Sequence, residues 1–117
     1  MNTLGELERA VMEQLWQRPE GLTAYDLIPL LPDTGRKALA PTTVLTVLAR
    51  LEAKDFVVRE RSTRPHVYRA SHSREQYMAE LMHQVLGGSA DRVAVLERFV
   101  GQASPEEAAA LRRLLAD

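Results

Sequence analysis

The hydrophobic period of this chain changes at Asp55, and that change limits what the chain can fold into. From Ala40 to Lys54, "APTTVLTVLARLEAK" gathers Val44, Leu45, Val47, Leu48 and Leu51 into one sector at helical spacing. Pro41 suits a first helical position, where its missing N–H breaks no bond. Beyond Asp55, "FVVRERS" and "HVYRA" are rich in β-branched and aromatic residues and flank "TRP". They predict a two-stranded hairpin with Pro65 at the turn. Phe56, Val58 and either Val67 or Tyr68 are expected to face the helices, with the arginines outward.

Upstream, Leu4, Leu7, Val11, Leu15 and Trp16 recur at helical spacing until "RPEG", where Pro19 and Gly21 stop the run. Thr23 is a good N-cap for a short second helix carrying Tyr25, Leu27, Ile28 and Leu31, with Pro29 in its first turns or ending it. "LPDTGRKAL" reads as a loop with two basic side chains. Downstream, Ser73 and Gln76 form a capping box for a helix ending at Gly87-Gly88. A fifth helix spans roughly 90–102, and "SPEE" opens a sixth with a cap, a proline and two early carboxylates. The fold class expected is mainly α with a small β-hairpin, divided into residues 1–72 and a helical region, 73–117.

With 117 residues, 45% of them hydrophobic, the chain can build one folding unit with an extension. It has no cysteine, which excludes disulfides and thiolate metal sites and suits a reducing cytoplasm. No apolar run approaches the roughly 20 residues that span a bilayer, so a soluble, cytoplasmic, unprocessed protein is expected. The net charge of −1 is uninformative, but its distribution is not. Between Arg59 and Arg69 the chain holds Arg59, Arg61, Arg64 and Arg69 against Glu60 alone.

On the helix that precedes the ribbon, Thr42, Thr43, Thr46, Arg50 and Ala53 fall opposite the apolar sector. Threonine costs a few tenths of a kcal/mol in a helix relative to Glu, Lys or Gln, so three on one exposed face need a reason. The order of helix, short helix, loop, helix and ribbon is that of a winged helix-turn-helix, whose third helix enters the DNA major groove. There a threonine hydroxyl can donate or accept, and its methyl can meet the C5-methyl of thymine. Thr42, Thr43, Thr46 and Arg50 are the expected base contacts. Arg61 and Arg64, with Thr23 and Tyr25, are the expected backbone contacts, although Tyr25 suits packing equally well. Drifted threonines and a merely solvated basic ribbon are the simpler alternatives. Their coincidence in this order of elements favours DNA.

"LGELERAVMEQLW", "TTVLTVLARLEAKDFVVRERSTRPHVYRA" and "SREQYMAELM" together resemble the BlaI/MecI/CopY family of bacterial winged-helix repressors. The resemblance implies a homodimer that represses genes from a palindromic, inverted-repeat operator, often over β-lactamase or related resistance genes. It implies that Thr43 and Thr46 contact bases, with Arg50 beside them. Copper-responsive members carry a cysteine-rich C-terminal motif that is absent here. Penicillinase repressors are inactivated by a protease that cuts an Asn-Phe bond, implying a sensor protease as partner; the best-matching position here, Arg98-Phe99, departs from that bond, which leaves release by another route as the alternative.

The last 45 residues are few for an independent core, yet Val93, Val95, Leu96, Phe99, Val100 and Ala103 share an apolar sector covering nearly half of their helix, to which Leu111, Leu114 and Leu115 add. Each such side chain contributes about 1.5–3 kcal/mol when buried, so a second copy is the expected cover, with Met82 among the interface side chains. Folding back onto the N-terminal part is the alternative. His66, His72 and His83 lie on different elements, so no metal is expected. Nothing suggests a cofactor or an enzyme. The competing functions are a winged-helix protein-interaction module and a regulator that binds a small molecule between helical arm and ribbon.

Overall fold

A computed structural model of the protein describes residues 4–32 and 39–116. Its elements are α1 (Glu6–Gln17), α2 (Ala24–Leu27) continued by a 3₁₀ turn (Ile28–Leu30), α3 (Pro41–Ala53), β1 (Val57–Glu60), β2 (Val67–Ala70), α4 (Arg74–Gly87), α5 (Arg92–Gly101) and α6 (Pro105–Leu115). The loop expected around Arg36 and Lys37 lies outside the described residues. The chain forms two compact units, 1–79 and 80–117.

In the first unit, each element is fixed by local chemistry before it packs. Glu8 accepts the Gly5 N–H at 2.9 Å and closes the first turn of α1. Thr23 and Asp26 cap α2 reciprocally, each bond 3.0 Å long. Pro29 then turns the chain into 3₁₀ geometry. Val11, Met12 and Leu15 of α1 meet Leu27 and the Val44, Val47, Leu48 and Leu51 face of α3 in the core. Leu45 departs from the expected sector and is 41% exposed. At 100° per residue it stands about 110° from the centre of the buried stripe, too far round to reach the core.

The hairpin forms in antiparallel register, with Val57 opposite Ala70 and Arg59 opposite Tyr68. Its inward residues are Val57 and Tyr68, whereas Val58, expected inside, is 53% exposed. The cause lies at the end of α3. Asp55 takes φ 66°, and the Phe56 N–H returns to the Leu51 carbonyl at 2.9 Å. Phe56 therefore belongs to the helix terminus, and strand alternation starts one residue later. A third segment of chain, absent from the hydrophobic pattern, adds a single-residue antiparallel bridge that pairs Leu22 with Tyr68 through N–H···O bonds of 3.0 and 2.8 Å.

The first turns of α4 belong to this unit. Ser73 and Gln76 form the expected capping box, with bonds of 2.9 and 3.1 Å. Tyr77 is buried, its ring centroid 5.6 Å from Trp16 and 5.4 Å from Phe56. The Trp16 Nε1 donates to the His72 carbonyl at 2.9 Å, and Arg74 lies over the indole while pairing with Glu13.

In the second unit, Asp91 caps α5 through the Ala94 N–H at 3.1 Å. Ser104 and Glu107 cap α6 reciprocally at 3.1 and 2.8 Å. All ten residues of α5 are exposed in the single chain.

Candidate nucleic-acid interface

The outer face of α3 carries exposed Thr42, Thr43, Thr46 and Arg50, held outward because Val44, Val47, Leu48 and Leu51 fill the core beneath. Thr42 and Thr43 stand in the first helical turn behind Pro41. Thr46, a turn later, donates its hydroxyl to the Thr42 carbonyl at 2.8 Å. Its hydroxyl proton is thus committed to the helix, while its methyl is not.

Arg50 is exposed near the end of the same face. Below it, Glu8 of α1 binds the Lys54 ammonium at 2.9 and 3.1 Å, joining α1 to the C-terminal cap of α3. Burial acts to raise the Glu8 pKa, but the Gly5 N–H, Lys54 and the charge of Arg50 outweigh it and hold the carboxyl below its ordinary 4.5. This outer face of α3 is therefore fixed from behind by apolar packing and at one end by an ion pair.

The hairpin presents Arg61, Ser62, Thr63 and Arg64 at an exposed tip. Behind it, Glu52 of α3 faces two arginines, 3.4 Å from the Arg59 Nε and 3.9 Å from an Arg61 terminal nitrogen. The Arg59 contact is an ion pair without hydrogen-bond geometry. Glu52 thereby ties the wing to α3, a role that its position on the helix gave no reason to expect. Glu60 is held ionised by the Ser62 hydroxyl and N–H, which keep its pKa below the ordinary value.

Thr23 is engaged as the cap of α2, and Tyr25 beside it is exposed. Both share the first unit with α3 and the wing. Of the expected interface residues, Met82, Val93, Leu96, Phe99, Val100, Leu114 and Leu115 are exposed apolar side chains, and Leu111 is half-buried. Among the described residues no group of three His, Asp or Glu side chains is placed to hold a metal ion, and no helix is long and apolar enough to cross a membrane. A shallow depression of about 320 Å³, lined by Trp16, Arg69, His72 and Gln76 among others, opens between α1, β2 and the start of α4.

An exposed face of threonines and an arginine on the third helix beside a basic β-ribbon defines the class: a DNA-binding regulator of the winged helix-turn-helix type. Within that class the chain belongs to the penicillinase repressor family, whose sequence model matches residues 4–117. It is similar to a protein called transcriptional regulator BlaI from two strains of Mycobacterium tuberculosis, CDC 1551 / Oshkosh and ATCC 25618 / H37Rv. Each is 42% identical over 120 residues, covering 100% of this chain and 86% of the relative.

Proposed function

We propose that this repressor acts as a homodimer on an inverted-repeat operator, with α3 of each copy in successive major grooves and the wing on the flanking backbone. The observation that carries this reading is the face of α3, where three threonines and an arginine are turned outward by four buried aliphatic residues. Thr42, Thr43, Thr46 and Arg50 meet base edges, while Arg61, Arg64, Thr23 and Tyr25 meet phosphates. Residues 1–72 then form the DNA-binding part and 73–117 the dimerisation part. The wide apolar surface of α5 and α6 supports the second assignment, because a lone copy leaves it in water.

The compartment in which such a protein meets its operator is the cytoplasm, and genes of the penicillinase kind are the targets to which the family's description points. Release by a sensor protease at Arg98-Phe99 requires α5 to open first, since that bond lies inside the helix. A ligand-responsive regulator is a second reading, favoured by the depression beside Trp16 and Arg69. DNA selection from a random duplex pool, followed by titration at two salt concentrations, tests the primary reading. A palindromic consensus is expected, with Thr46→Ala lowering specific binding by about 1–3 kcal/mol and leaving random-DNA affinity unchanged. An unchanged specificity ratio would remove α3 from the major groove.

A further inference from the structure

We infer that Thr46 selects thymine by methyl contact rather than by a hydrogen bond from its hydroxyl, an inference that rests on α3 being the reading helix. A helical threonine can return its hydroxyl to the carbonyl one turn back, but only where that carbonyl belongs to the helix. Thr46 meets the condition, and its Oγ1 lies 2.8 Å from the Thr42 carbonyl. Thr42 and Thr43 stand in the first turn, with no helical turn behind them. Among the described residues neither of their hydroxyls has a hydrogen-bond partner.

The three threonines are therefore not equivalent. To donate to a base, Thr46 must give up an intrahelical bond, and the exchange gains little because one hydrogen bond replaces another. Its methyl carries no such debt. On the exposed face it is the group free to be covered, and the apolar feature of the major groove that covers a methyl is the C5-methyl of thymine. Thr42 and Thr43 retain hydroxyls that can donate or accept. One face thus divides between polar readers in the first turn and an apolar reader in the second.

The probe is the tightest duplex that the native protein selects from a random pool, resynthesised with deoxyuridine replacing thymidine at one position per half-site in turn. At the thymine read by Thr46, removing the methyl should weaken binding about fourfold per half-site, the value of one buried methyl-sized group. Thr46→Val keeps the methyl and should bind within about twofold of the native protein. Thr46→Ser keeps only the hydroxyl and should lose as much as the deoxyuridine probe does, with no further loss when the two changes are combined. If Thr46→Val loses as much as Thr46→Ala while every deoxyuridine probe binds normally, the hydroxyl is the reader and the inference is overturned. If Thr46→Ala leaves the preference for the selected duplex intact, the assignment of α3 fails with it. Circular dichroism of each variant at the titration temperature separates either outcome from loss of fold.

Discussion

Gly21 takes φ 93°, and a Cβ there would lie 2.6 Å from the Val67 Cγ1 and 2.9 Å from the Tyr68 carbonyl oxygen. Backbone conformation and space both demand glycine, since the Leu22–Tyr68 rung brings two main chains together. Gly21→Ala should cost about 2 kcal/mol or more, read as a lower urea midpoint with unchanged slope. Glu8 gives a prediction of opposite character. Its pKa is lowered in the folded chain, so its contribution is complete above about pH 4.5 and fades as the pH falls through the lowered value. Glu8→Gln should therefore destabilise by about 1 kcal/mol at pH 7, modest because Lys54 is a third exposed, and the gap to the native protein should narrow as the pH falls below the ordinary carboxylate range and close once Glu8 is protonated in the folded chain. Neither position could be read from the sequence alone. Gly21 reads in the sequence only as a helix stop, and nothing in the pattern singles out Glu8, until tertiary structure brings Val67 and Lys54 beside them.

At the scale of elements, α3 was legible because buried and exposed residues alternate at the helical period and Pro41 marks its start. The strands were legible as strands but not in phase. The left-handed turn at Asp55 holds Phe56 to the helix, and one residue of offset exchanges Val58 for Val57 at the core. Leu22 escaped notice because a single-residue rung imposes no periodicity. The wing makes its own predictions. Arg64→Ala should weaken selected and random DNA alike and reduce the slope of log affinity against log salt by about one unit. Glu52→Gln removes the carboxylate facing Arg59 and Arg61, so it should raise affinity for random DNA several-fold at low salt, a gain that fades as salt rises. An unchanged random-DNA affinity would show that the wing arginines do not lie near phosphates.

For the whole molecule, the division into 1–79 and 80–117 falls within α4, whose first turns are held by Tyr77, Arg74 and the bond from Trp16 to His72. The apolar sector of α5 was plain in the sequence, but what covers it was not, because helical periodicity marks an apolar face without naming its partner. Phe99, in the last turn of α5 and 51% exposed, is the residue to charge. Phe99→Glu should give monomers by light scattering and weaken binding to a two-half-site duplex by about 100-fold or more, with half-site affinity retained. A dimer that survives the substitution would move the interface elsewhere. Trp16 has a practical consequence. It is the single indole of the chain, wedged beside a guanidinium and a phenol. Its emission is thus an intrinsic optical gauge of whether the start of α4 stays seated, allowing unfolding to be followed without an attached dye.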